Sequence, residues 1–134
     1  MQIQMQIMER WSMAFDDRTP IYRQIILQFN RAFVRGDIQP GDRIPSIREL
    51  SAALRVNTNT IQRVYQEMER DGAISSKRGT GYYFTEDIKM TENIRRSLTL
   101  DSLRRFVEEM QALGLKKKEI INELETYMEG DEGN

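Results

Sequence analysis

Between Asn57 and Arg63 the chain reads NTNTIQR, a run of uncharged hydrogen-bonding side chains ended by a guanidinium. Asn and Gln amides can pair with an adenine edge, Arg with a guanine edge, and Thr hydroxyls with either a base or a phosphate. Two cationic features lie on either side. Arg48 precedes the run, and Lys77-Arg78-Gly79 follows it, where two cations share a loop whose glycine lets the backbone approach a minor groove closely. Each feature alone has an ordinary reading. Asn57 serves as a helix cap, while Thr58, Asn59, Gln62 and Arg63 form a solvated face. Arg48 is a surface charge paired with Glu49 or Asp42, and Lys77-Arg78 is a wet hairpin tip. Nucleic-acid chemistry becomes the better reading only through the elements that carry these residues.

Other chemistries are poorly supplied. Cys and His are both absent, which removes disulfides, thiolate or imidazole zinc sites and any Cys or His nucleophile or base. An enzyme would depend on carboxylates such as Asp16, Asp17 or Asp42, which read more simply as turn and cap residues. The 134 residues, 39% hydrophobic and 31% charged, suit one compact domain or one domain with a small appendage. No apolar run approaches the roughly 18 residues needed to cross a bilayer, and Met1 to Ile7 is too polar for a signal-peptide core. A cytoplasmic location with no membrane partner is expected. The net charge of -1 conceals an asymmetry: residues 1–85 carry 12 Lys+Arg against 9 Asp+Glu, and residues 86–134 carry 8 against 12. That split suits a DNA-facing head and a partner-facing tail.

The opening MQIQMQI alternates apolar and polar residues, a strand signature, and residues 1–18 read as an N-terminal extension. A first helix is expected from Thr19 as N-cap with Pro20 at its first position, burying Ile21, Ile25, Ile26, Phe29, Ala32 and Phe33 and stopping at Gly36. Pro40-Gly41 makes a turn, and Ser46-Ile47-Arg48-Glu49 is a capping box that starts a short helix with Leu50, Ala53 and Leu54 inside. Asn57 caps a second short helix that buries Ile61, Val64, Tyr65 and Met68 and ends at Asp71-Gly72. Two capped helices and a tight turn form a helix-turn-helix over about 47–66. Ala73-Ile74-Ser75 and Tyr82-Tyr83-Phe84 then read as a hairpin around SKRGTG, giving a wing over about 73–84. From about Thr91 two amphipathic helices follow, broken at Gly114. Their faces, Leu103, Phe106, Val107 and Met110 on one and Ile120, Ile121, Leu124 and Tyr127 on the other, are too few to bury each other well, which implies a partner.

The stretch from Thr19 to Phe84 closely resembles the GntR family of bacterial transcription regulators. The signatures are PIYRQI, the run GDIQPGDRIPSIREL, VNTNTIQRVY, and EMERDG followed by the RGTG wing. The resemblance implies DNA contacts from Arg48, from Asn57, Thr58, Asn59, Thr60, Gln62 and Arg63, and from Lys77, Arg78 and Gly79. The short two-helix tail is similar to that of the YtrA subfamily, which dimerises through this region and often represses neighbouring transporter operons. The same head occurs fused to an aminotransferase-like domain, for which this chain has no room, so no cofactor is expected.

The expected architecture is mainly α with a small β-hairpin wing: residues 19–85 form a winged helix-turn-helix, residues 91–129 a helical dimerisation segment, and residues 130–134 a tail. The expected function is that of a dimeric repressor on a palindromic operator in double-stranded DNA. The rival is a winged-helix interaction module whose basic face binds an acidic protein; the uncharged Asn and Thr cluster favours base edges. A small-molecule effector is compatible with the sequence, though no motif signals one.

Overall fold

A computed structural model describes residues 5–132. Its elements are α1 (Met5–Glu9), a 3-10 turn (Arg10–Ala14), α2 (Ile21–Arg35), β1 (Arg43–Ile44), α3 (Ile47–Leu54), α4 (Thr58–Arg70), β2 (Ile74–Lys77), β3 (Gly81–Phe84), α5 (Ile88–Ala112) and α6 (Lys117–Glu132). The chain divides into two compact units, one up to Arg96 and one from Ser97, and the boundary falls within α5.

In the first unit α2, α3 and α4 surround an aromatic core centred on Phe29. Its ring lies 4.9 Å from Trp11, 5.9 Å from Tyr65 and 6.3 Å from Phe84 between centroids, and Phe33 stacks on Phe84 at 4.4 Å. The apolar stripe of α2 accounts for this arrangement, since Ile25, Phe29, Ala32 and Phe33 recur at helical spacing and are all buried. The stop at Gly36 is as expected: it takes φ 93°, and the Asp37 N–H donates to Ala32 O, closing the helix with a left-handed turn.

The start of α2 departs from expectation. Pro20, with ψ 142°, is the N-cap rather than the first helical residue, and no side chain caps the helix. The loop before it is held instead by the Gln24 amide, whose Nε2–H donates to Asp16 O and Thr19 O while its Oε1 accepts from the Asp16 N–H. The strand reading of MQIQMQI also fails for the residues described, because Met5–Glu9 is helical; Met1–Gln4 lies outside the described residues. Met8 and Trp11 are buried, so the segment read as an extension contributes to the core of the first unit. Period two in so short a run was overridden by docking of Met8 and Trp11, which lie three positions apart and share a helical face.

A third strand was not anticipated. The sheet order is β1-β3-β2, with Arg43 opposite Tyr83 and Ile44 opposite Tyr82 on one side, and Ile74 opposite Phe84 through to Lys77 opposite Gly81 on the other. The hairpin strands each run slightly beyond the segments expected. In the second unit, α5 ends in the same left-handed manner as α2: Gly114 has φ 90°, and the Leu115 N–H donates to Met110 O. The helical tail starts at Ile88 rather than Thr91 and continues to Glu132. Ile120 is only 7% exposed within this single chain, whereas Phe106, Val107 and Met110 are half-buried and Leu103, Ile121, Leu124 and Tyr127 are exposed. Ile120 is therefore already covered in the single chain and offers little surface to another molecule.

Candidate nucleic-acid interface

The expected capping box is present and sets where α3 begins. The Glu49 N–H donates to Ser46 Oγ at 3.1 Å, and the Ser46 N–H donates to Glu49 Oε1 at 3.0 Å. The Ser46 N–H donor, with a smaller contribution from the nearby Ser46 hydroxyl, holds the Glu49 carboxyl below the usual glutamate range. Glu49 is thus engaged with the cap, and Arg48 beside it is exposed at the second position of the helix. After Leu54 the chain turns through Arg55, the only non-glycine residue with positive φ (56°) among those described. The turn is closed by the Val56 N–H donating to Ser51 O, and by the Ser51 hydroxyl donating to Val56 O.

Asn57 caps α4 as the sequence implied, its Oδ1 accepting from the Asn59 N–H at 2.8 Å. Its carbonyl accepts from the Thr60 and Ile61 N–H groups. The first turn of α4 therefore presents few open backbone donors and mainly offers side chains. Ile61, Val64, Tyr65 and Met68 are buried, while Thr58, Asn59, Gln62, Arg63 and Gln66 are exposed and Thr60 is half-buried. The helix is locked to the segment before α3 by the buried Tyr65 hydroxyl, which donates to Pro45 O at 2.6 Å. Burial pushes the Tyr65 phenol well above its ordinary value, so it remains a donor.

Arg63 has partners that sequence spacing did not suggest. Its guanidinium lies 3.7 Å from the Tyr22 ring centroid on α2, and its Nε–H donates to Glu67 Oε1 at 3.3 Å. Arg23, the next residue along α2, reaches the same tyrosine, its Nε–H donating to the Tyr22 hydroxyl at 3.1 Å, a bond that raises the Arg23 pKa. In the wing, the Thr80 N–H donates to Lys77 O, and Gly79 supplies φ 76° at the third position of that turn, where a type II turn needs a left-handed residue. Arg78 and Gly79 are fully at the surface, and the Lys77 ammonium sits 4.6 Å from the Tyr83 ring centroid. Glu69 ties the wing to α4 by accepting from the Ser76 N–H at 3.1 Å and the Ser76 hydroxyl at 2.8 Å.

The ten candidates thus lie on α3, on α4 with its cap, and on the tip of the wing, all in the first unit. Sequence reasoning missed Tyr22, Glu67, Glu69 and Tyr83, the residues that hold this surface in place. Glu67 was accessible in principle as the i,i+4 partner of Arg63. Tyr22 and Tyr83 had no local signal beyond being aromatics next to cations or on a short strand.

Residues 21–84 match the model of the bacterial regulatory proteins of the gntR family. The HTH-type transcriptional regulator YhcF of Bacillus subtilis is 40% identical over 116 residues, which cover 87% of this chain and 96% of YhcF. The chain belongs to the GntR family. It is a DNA-binding transcription regulator of the winged helix-turn-helix type, and not an enzyme. This GntR chain is also similar to the HTH-type transcriptional repressor YtrA of Bacillus subtilis, at 34% identity over 120 residues, 87% of this chain and 92% of YtrA. Among solved structures, a GntR family transcriptional regulator from Listeria monocytogenes superposes with a TM-score of 0.76 at 39% identity, covering 84% of this chain and 98% of that one. The matches span 92–98% of these relatives' own lengths, so all are similarly short chains, which makes the protein YtrA-like.

Proposed function

We propose that the protein is a homodimeric, cytoplasmic repressor that seats two winged helices on a palindromic operator and occludes transcription of a neighbouring operon, transporter genes being the favoured target. The observation that carries this reading is the exposed polar face Thr58, Asn59, Gln62 and Arg63 on a capped helix, flanked by Arg48 and by the Lys77-Arg78-Gly79 tip. In this reading Asn57 and Thr60 set the helix start against the groove, and Asn59, Gln62 and Arg63 read base edges. Arg48, Lys77 and Arg78 bond phosphates, and Gly79 gives the wing its close approach. Residues 19–85 are the reading head and residues 91–129 the dimerising segment. The exposed apolar side chains Leu103, Ile121, Leu124 and Tyr127, with half-buried Phe106, Val107 and Met110, support a second copy as the tail's partner. Repression is supported by the full-length likeness to YtrA, which is named a repressor.

The test is selection of duplexes from a random pool by the full chain. A palindrome with half-sites about one helical turn, roughly 10 bp, apart is expected. Recovery of an unrelated, non-repeating sequence would remove the symmetric dimer from the reading, and a selected pool no tighter than random duplex would remove sequence-specific recognition.

A further inference from the structure

Arg63 stands out among the exposed cations of the proposed DNA-facing surface because two parts of its guanidinium are already engaged. One face of its guanidinium rests on the Tyr22 ring at 3.7 Å, and its Nε–H is bonded to Glu67 at 3.3 Å. Its Nη1 and Nη2 groups make no hydrogen bond among the described residues. The side chain remains 57% exposed, against 24% for Glu67. A long side chain that would otherwise sample many rotamers is thereby oriented from two directions, by an aromatic on α2 and by a carboxylate one turn along α4. What is left open is the pair of parallel N–H groups that a guanine edge accepts.

We propose that Tyr22 and Glu67 are positioning residues that make Arg63 selective, an inference that rests on the reading of Arg63 as a base contact. The two act by different physics. Tyr22 orders the guanidinium before DNA arrives, so less rotamer freedom is lost on binding. Glu67 offsets the cation's charge at close range, which weakens its attraction to any phosphate while leaving its directional bonds to a correctly placed base edge. Tyr22 therefore raises operator affinity, and Glu67 lowers affinity for unrelated DNA.

The experiment measures binding of the full chain to the duplex it selects from a random pool and to a scrambled duplex of equal length, across a salt series. Tyr22→Leu is expected to reduce operator affinity about three- to tenfold with little change on scrambled duplex. Tyr22→Phe, which retains the ring face, restores most of that loss. Glu67→Gln is expected to tighten scrambled-duplex binding and to steepen the salt dependence by about one counterion. Both effects should vanish when Arg63 is already alanine. If Arg63→Ala lowers the operator-to-scrambled ratio but Tyr22→Leu acts equally with and without Arg63, the positioning role is overturned and the base-contact reading stands. If Arg63→Ala leaves the ratio unchanged, both fall. Thermal melting of each variant separates these outcomes from loss of the fold, and Tyr22→Phe supplies the folded comparison if Tyr22→Leu is unstable.

Discussion

At the scale of single residues, the proposed division between phosphate and base contacts makes a sharp contrast between two cations. Lys77→Ala should weaken operator and scrambled duplex alike and reduce the salt slope by about one, because a phosphate contact carries no sequence information. Arg63→Ala should cost about 1–3 kcal/mol on the operator and relax specificity at one base pair. Titration of both variants against both duplexes reads this directly. Tyr65→Phe addresses stability instead: it removes the donor to Pro45 O inside the core and should lower stability by about 1–3 kcal/mol, seen as a lower urea midpoint at unchanged slope. The exposure of Arg48, Asn59, Gln62 and Lys77 was legible in the sequence because side-chain type and helix phase are local properties. The tethers on Arg63 and Lys77 were not, since Tyr22 and Tyr83 meet them only after α2 packs on α4 and the hairpin closes.

Elements were readable to the extent that their signals were local. The capping box at Ser46, the Asn57 cap and the glycine stop after α2 each occupy four or five consecutive residues, and each is present. The two-residue strand β1 has no such signal; it exists because β3 offers Arg43 and Ile44 an edge. Likewise nothing within Met5–Glu9 fixes a helix except the core that receives Met8. Ser46→Ala should cost about 1 kcal/mol by leaving the Glu49 N–H without its partner. Folding depresses the Glu49 pKa, so the box contributes fully above the unfolded glutamate value of about 4.3 and fades as pH falls through the lower folded value. Urea midpoints of wild type and Glu49→Gln should accordingly converge in acid; a constant gap down to the most acidic pH at which the chain folds would contradict the assignment. Trp11→Ala should destabilise the first unit by about 3–5 kcal/mol, far more than a loose extension would allow.

For the whole molecule, the proposed dimer is the property on which the expected operator symmetry depends. Leu124→Glu and Tyr127→Lys place charges on side chains that are exposed in the single chain, so they should yield monomers by sedimentation with unchanged far-UV circular dichroism and weaker operator binding. Ile120→Ala is the contrasting case: its side chain is already covered in the single chain, so it should lower stability first. The sequence implied a partner for these faces by counting apolar positions, but it could not tell which of them the two helices would use on each other. The N-terminal segment carries a different kind of consequence. The chain has a single tryptophan, and that indole sits edge-on to Phe29 away from water. Its emission is therefore an intrinsic optical gauge of whether residues 8–11 remain docked, readable in solution without any label, and its colour would shift to the red on release even while α4 stays folded.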